Sequence, residues 1–166
     1  AAAFPHYYYG QLAIAALGRE MPRFDPLPEV TITAADRSAF EGNALVRAIR
    51  ALATSRRDWR TERRFFEALG DEANTPEELT MAAQLAAETR LDEMAVVIGM
   101  KAGEHGLTGF ERIGFPTIAT PVVNDWTMVH AISRQESEFD RTRVSHAGAR
   151  GVMQLMPGTA REQAGK

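Results

Sequence analysis

Apolar residues recur at helical spacing through most of the chain. A first helix is predicted from Tyr7 to Leu17, followed by Gly18, a residue type that commonly closes helices. The next pattern predicts a single helix, because its apolar residues recur on one face. The members of that face are Phe40, Ala44, Leu45, Ala48, Ile49 and Leu52.

Three further segments continue this helical pattern. One apolar face, which we expect to end at Gly70, consists of Trp59, Phe66 and Leu69. The sequence Thr75-Pro76-Glu77-Glu78 predicts a helix start, with threonine as N-cap, proline at the first helical position and glutamate closing a capping box. The last face consists of Leu91, Met94, Ala95, Ile98 and Ala102.

Signals for β-strands are nearly absent. Residues 30–33 are the one candidate, and they follow a proline-rich connector at 21–28. A second stretch rich in glycine and proline, residues 107–123, indicates a linker, after which a helix is expected to begin behind Asn124 or Asp125. The short, alanine-rich helices predict an all-α fold. We interpret residues 1–120 as an irregular α-superhelical solenoid of helical hairpins and its linker, and residues 121–166 as a second domain segment.

Composition narrows the classes of function. The net charge of −3 argues against a nucleic-acid-binding protein, and the basic run at 56–64 contains carboxylates, which favours a solvated helix face over an anion site. The chain has no cysteine, and its four histidines show no ligand spacing, so no metal site and no cofactor are predicted. No apolar run approaches the roughly 20 residues of a membrane span, and the N-terminus lacks the pattern of a signal peptide.

Glu136 is the candidate for acid–base chemistry. On the helix predicted near Trp126, it shares a face with Val129 and Ile132, at a position where the apolar stripe would continue. A carboxyl group against an apolar wall loses hydration, which favours the protonated form that a general acid needs. The alternative is a surface glutamate paired with a neighbouring arginine, Arg134 or Arg143.

The residues around Glu136 carry a family resemblance. Residues 134–140 are R-Q-E-S-E-F-D and residues 144–160 are V-S-H-A-G-A-R-G-V-M-Q-L-M-P-G-T-A. This arrangement resembles the signature of the soluble lytic transglycosylases, R-Q-E-S-x-F followed by S-x-x-G-A-x-G-L-M-Q-L-M-P-x-T-A. The chain departs from it at Val152, an apolar replacement for leucine. Residues 8–13 also resemble a helix start of the superhelical domain that precedes the catalytic domain in that family.

The resemblance implies a lysozyme-like catalytic domain that acts on the glycan strands of peptidoglycan in the periplasm. Such enzymes cleave the β-1,4 bond between N-acetylmuramic acid and N-acetylglucosamine and leave 1,6-anhydro ends. Glu136 corresponds to the catalytic acid and base. Ser145 corresponds to a serine near that glutamate, and Gln154 to a glutamine of the cleft. Met153 and Met156 correspond to methionines that form an apolar floor or pack in the core.

Two neighbouring carboxylates, Glu138 and Asp140, receive no role from the resemblance, and we interpret both as surface charge. The family's catalytic domain continues beyond the signature, so we expect 121–166 to be a truncated portion with little or no activity. We expect that portion to be buried against the solenoid or against another chain. The alternatives are a lysozyme-like hydrolase that uses water, and a non-catalytic helical scaffold or binding module.

Overall fold

The computed structural model describes residues 1–5, 7–23, 27–55, 58–91, 93–119 and 125–165. Those residues contain eight α-helices and no β-strand, which confirms the all-α prediction. The helices are α1 (Tyr8–Ala16), α2 (Ala34–Gly42), α3 (Ala44–Ala53), α4 (Trp59–Glu72), α5 (Pro76–Glu88), α6 (Met94–Glu104), α7 (Trp126–Ser137) and α8 (Pro157–Ala164).

Helices α2 to α6 enclose one hydrophobic core. The most extensive helix contacts join α4 to α6, α5 to α6 and α3 to α4. The largest fully buried apolar side chains of these helices are Phe66, Ile49, Leu79, Leu85, Met94, Ile98, Val46 and Val96. Burial of such side chains is the main favourable contribution to folding. The superhelical arrangement of the hairpins stays a prediction.

The single helix predicted across residues 40–52 is wrong, because Asn43 separates α2 from α3. Its backbone is extended, with φ −65° and ψ 135°, and its side-chain oxygen accepts a 2.7 Å hydrogen bond from the Leu45 amide. Asparagine competes in this way with the helical hydrogen-bonding pattern. The apolar periodicity continues across the break, since Phe40 and Ile49 both belong to the core.

The prediction that Gly70 ends its helix is also wrong, because α4 continues to Glu72. Gly70 is buried against α6, where a Cβ atom would lie 2.7 Å from the Lys101 side chain. The absence of a side chain at Gly70 therefore allows two helices to approach closely, a role of glycine that differs from helix termination.

Helix caps were more predictable. Gly18 follows the C-cap residue Leu17 of α1 and has φ +62°, as a closing glycine does. Thr75 and Glu78 form the predicted capping box at the start of α5. The strand candidate at 30–33 is wrong, because Thr33 is the N-cap of α2 and forms a second capping box with Asp36.

The predicted linker is packed against the core over the part that the structure describes, residues 107–119. Phe110 is 1% exposed and belongs to the core, with Ile113 packed beside it. Gly99 of α6 lies so close to this segment that an added Cβ would come within 2.7 Å of the Gly114 nitrogen. The segment is therefore held against α6 before it reaches the final helices.

Several predicted features lie outside the described residues. They are the domain boundary near residue 120, the N-cap candidate Asn124, part of the proline-rich connector at 24–26, and the basic pair at 56–57. Within the described ranges, no helix has the length and apolar character needed to cross a membrane.

Candidate active site

Helix α7 carries Glu136 in its last turn. It begins after Asp125, one of the two predicted N-caps, although that side chain forms no capping bond to the backbone. The buried face of α7 contains Ser133 and Ser137, both 0% exposed, whereas Trp126 at the start of the helix is 50% exposed. The inward face is thus made of small hydroxyl side chains.

This orientation corrects the predicted setting of Glu136. The glutamate is exposed, and within the described part of the chain it forms no hydrogen bond or ion pair. Because successive helical residues point about 100° apart, burial of Ser137 turns the preceding side chain toward solvent. Neither the apolar wall nor the alternative pairing with Arg134 or Arg143 is observed.

Ser137, the residue after Glu136, attaches α7 to the loop that follows. Its hydroxyl donates a 2.7 Å hydrogen bond to the Val152 carbonyl and lies 3.2 Å from the Ser133 carbonyl oxygen in its own helix. The two halves of the signature, R-Q-E-S and G-V-M-Q, therefore meet through this serine.

Residues 143–155 fold into a compact loop held by its own backbone. The Ser145 amide donates to the Ala149 carbonyl at 2.9 Å, and the Ser145 hydroxyl accepts from the Ala149 amide at 3.0 Å. The Gly151 amide donates to the Arg143 carbonyl at 2.9 Å, at a backbone φ of +74° that suits glycine. Ser145 thus contributes to the turn itself.

Gln154 also stabilises this loop. It has φ +48°, and its Nε2 donates to the Gly151 carbonyl at 2.8 Å and to the Arg143 carbonyl at 3.2 Å. Met153 is half-buried and Met156 is exposed, and neither belongs to the main core.

No hydrogen bond joins Glu136 to Ser145 or Gln154 among the described residues. The roles of these residues and of the two methionines in substrate binding stay predictions.

A comparison with known families identifies this segment. Residues 119–166 match the family described as Transglycosylase SLT domain, a stretch that contains Glu136, Ser145 and Gln154. This segment is therefore similar to the transglycosylase SLT domain family. The match covers less than a third of the chain. No curated protein and no solved structure matches the chain.

The SLT domain confirms the resemblance to soluble lytic transglycosylases. It supports, in general terms, a function of lytic transglycosylase type that acts on peptidoglycan, and it implies a location in the cell envelope. We call residues 119–166 the SLT segment. The match does not include α1 to α6, which we call the helical part, so that part is described by its structure alone.

Glu138 of the SLT segment is not simple surface charge, which corrects the prediction. It pairs with Arg63 of α4, and the two side chains are only 22% and 18% exposed. Arg63 also pairs with Glu67 at 2.8 Å, and its guanidinium lies 5.4 Å from the Trp59 ring centre. Part of the basic run therefore faces the SLT segment, because the chain folds α7 back toward α4.

Asp140 is likewise misassigned as surface charge, since it is only 2% exposed. One carboxylate oxygen accepts hydrogen bonds from the Thr142 amide at 2.7 Å and from the Thr142 hydroxyl at 2.8 Å. Such turns are a common role of aspartate. The D-x-T spacing in the sequence is a signal for this turn.

Arg134 lies one turn before Glu138 and faces the helical part. Its guanidinium lies 4.6 Å from the Phe115 ring centre, and Nη1 is 3.9 Å from the Met100 sulfur. Burial lowers the pKa of Arg134, the Glu138 carboxylate acts in the opposite direction, and Arg63 adds to the lowering. Desolvation of a cation without a hydrogen-bonded anion has this effect.

A cavity of about 470 Å³ lies beside Arg134, between α6 and the end of α7. Gln135 and Glu138 of the SLT segment also line it, but Glu136 does not. This cavity is therefore lined by sequence neighbours of the candidate catalytic residue and not by Glu136 itself.

Proposed function

We propose that this chain is part of a periplasmic lytic transglycosylase that cleaves the β-1,4 bond between N-acetylmuramic acid and N-acetylglucosamine and leaves 1,6-anhydro ends. The observation that carries the proposal is the SLT domain match over residues 119–166, with Glu136 inside the R-Q-E-S motif. Residues 1–120 form the preceding helical part in this proposal, and 121–166 the N-terminal portion of the catalytic domain.

One carboxyl group is sufficient for this reaction. The protonated Glu136 donates its proton to the leaving glycosidic oxygen as the bond to C1 breaks. The resulting carboxylate then accepts the proton of the muramic C6 hydroxyl while that oxygen bonds to C1, which regenerates the acid. Ordinary glycosidases require a second carboxylate because water or an enzyme nucleophile attacks C1. Here the sugar supplies its own nucleophile.

The exposure of Glu136 is compatible with this role because a glycan bound over α7 would cover it. A sugar ring that displaces water from the carboxyl group lowers its hydration and favours the protonated form. Catalytic geometry often tightens only in the complex with substrate. The apolar environment that the sequence predicted would then be supplied in part by the ligand.

The loop at 143–155 is the proposed wall beside that glycan. Its Ser145 and Gln154 are assigned to polar contacts with the sugar, and Met153 and Met156 to apolar contacts. The support for this assignment is their place in the signature and the Ser137 hydrogen bond that ties the loop to α7.

Digestion of purified peptidoglycan followed by mass spectrometry tests the proposal. The enzyme of which this chain is part should release muropeptides with 1,6-anhydro ends, and Glu136→Gln in that enzyme should abolish the release. Glu20→Gln is the matched control, because it neutralises an exposed carboxylate outside the SLT segment. Reducing ends in place of anhydro ends would identify a hydrolase. Release that survives Glu136→Gln would remove Glu136 from the mechanism, and no release by the unaltered enzyme would favour a non-catalytic helical module.

A further inference from the structure

We propose that Arg63 of α4 is a positioning residue for Glu136 and that it acts through Glu138. This inference rests on the proposed function, because it assigns Glu136 to the chemistry. The observation behind it is the ion pair between Arg63 and Glu138, which joins the helical part of the chain to the last turn of the helix that carries Glu136.

Arg63 is held in place before it reaches Glu138. The Trp59 ring lies on one side of its guanidinium and the Glu67 carboxylate accepts from its Nε at 2.8 Å. All three residues are on α4, whose buried face belongs to the core. A guanidinium fixed by its own helix loses little further freedom when it binds another carboxylate, so it can serve as a rigid anchor.

Glu138 occupies a backbone position where glycine would be the least strained residue. It has φ +54° at the end of α7, and the helix closes through the Phe139 amide to the Ser133 carbonyl at 3.3 Å. A closure of this kind needs only the backbone, and glycine is its usual residue. The side chain of Glu138 therefore contributes something other than the turn, and its partner is Arg63.

The charges around Glu138 come from two elements. Arg63 and Glu67 approach from α4, and Arg134 lies in α7 itself, stacked on Phe115. Glu138 is thus a carboxylate between two arginines, one of which belongs to the helical part.

This contact matters for α7 because the helix has few others. None of the extensive helix–helix contacts in the described part of the chain involves α7. Its last turn is fixed by the Ser137 hydrogen bond on one side and by the Glu138 ion pair on the other. Loss of the ion pair would leave that turn held by Ser137 and by the packing of Arg134 on Phe115, without the contact to α4. We expect the Glu136 carboxyl group to be less well fixed in direction as a result.

Glu138→Gly is the decisive variant. It removes the carboxylate and relieves the strain of the left-handed turn. Glycine also adds backbone freedom at this position, so the variant is read together with Arg63→Ala, which leaves the turn residue unchanged. We expect kcat on peptidoglycan glycan to fall by about tenfold to a hundredfold, since small misplacements of catalytic groups have effects of that size. KM should change less than about twofold, because no substrate contact is removed.

Variants of Arg63 complete the test. Arg63→Ala should reproduce the loss of kcat seen with Glu138→Gly. The double variant should lose no more kcat than either single variant, because both substitutions remove the same ion pair. Arg63→Lys should restore part of kcat, since the charge is retained. Arg64→Ala is the control, because Arg64 is an exposed neighbour on α4. Normal kcat in both Glu138→Gly and Arg63→Ala would overturn the inference.

A measurement without substrate separates this inference from the proposed function. Nuclear magnetic resonance relaxation of the Glu136 side chain should show greater motion in Arg63→Ala and Glu138→Gly than in Arg64→Ala. If Glu136→Gln stays active, the proposed function fails. The relaxation measurement would still show whether the Arg63–Glu138 contact restricts the motion of the Glu136 side chain. Unchanged Glu136 motion in both variants would overturn the inference even in a chain with no lytic activity.

Discussion

The hydroxyl of Ser137 donates a 2.7 Å hydrogen bond to the carbonyl of Val152 and so joins the end of α7 to the loop at 143–155. Ser137 is fully buried, and its neighbour one turn earlier, Ser133, is fully buried as well. The two serines differ in one respect, since the Ser133 hydroxyl has no hydrogen-bond partner in the described structure. They form a matched pair for measuring what this contact contributes.

Ser137→Ala should destabilise the chain by about 1 to 2 kcal/mol, because it leaves the Val152 carbonyl without its donor. Ser133→Ala removes a buried hydroxyl that has no partner and should be neutral or stabilising. Urea denaturation measures both. Equal losses in the free energy of unfolding for the two variants would show that the hydrogen bond from Ser137 to Val152 does not contribute to stability.

Gly99→Ala should destabilise the chain by about 1 to 3 kcal/mol, since its Cβ would meet backbone atoms of Gly114 at 2.7 and 2.9 Å. Gly103→Ala, on the same helix, has nothing within 4 Å of the added atom. It should stabilise by about 0.5 to 1 kcal/mol, as alanine does relative to glycine in a helix. Thermal unfolding of the two variants should therefore shift in opposite directions, and a shared direction would contradict the close approach of α6 to residue 114.

The capping box at α2 predicts a pH-dependent contribution from Asp36. Hydrogen bonds from the Thr33 side chain and backbone lower the pKa of Asp36. A carboxyl group whose pKa is lower in the folded state than in the unfolded state stabilises the folded state when the pH is above its unfolded-state pKa. This contribution is lost as the pH falls below about 4.

Thr33→Ala should raise the pKa of Asp36 toward its usual value, which carboxyl-carbon chemical shifts would report. The stability difference between the unaltered chain and Thr33→Ala should narrow between pH 7 and pH 2. A difference that stays constant over this range would mean that the carboxylate does not contribute through Thr33.

The break between α2 and α3 depends on the Asn43 side chain. Asn43→Ala should cost about 1 kcal/mol, because the Leu45 amide loses its capping acceptor. Asn43→Ser keeps an acceptor at the N-cap and should recover most of that loss. Chemical denaturation compares the two, and equal losses would show that the cap oxygen is not responsible.

Local signals explain what the sequence could predict. The Thr75 capping box and the Gly18 closure each depend on residues within one helical turn, so a single sequence carries them. The signature around Glu136 could also be recognised from the sequence, because its length and spacing make it specific. These features required no knowledge of how the helices pack.

The errors come from contacts between distant segments. The pairing of Glu138 with Arg63 requires α7 to fold back to α4. The residues adjacent to Glu138 in the sequence give no signal of burial, so it was predicted to be surface charge. Gly70 looked like a helix end because its close partner, Lys101, is on another helix. The exposure of Glu136 followed from which face of α7 turns inward, and two serines rather than the apolar residues occupy that face.

The hydrogen bonds of Gln154 decide what it can offer a ligand. Its nitrogen already donates to the carbonyls of Gly151 and Arg143, so the oxygen is the side-chain atom that remains for a further hydrogen bond. A partner at this position must therefore bring a donor, such as a hydroxyl or the N–H of an acetamido group, and a bare carbonyl would find nothing to bind. If Gln154 contacts the glycan as proposed, this position would favour the hydrogen-bond donors of the sugar over its acceptors.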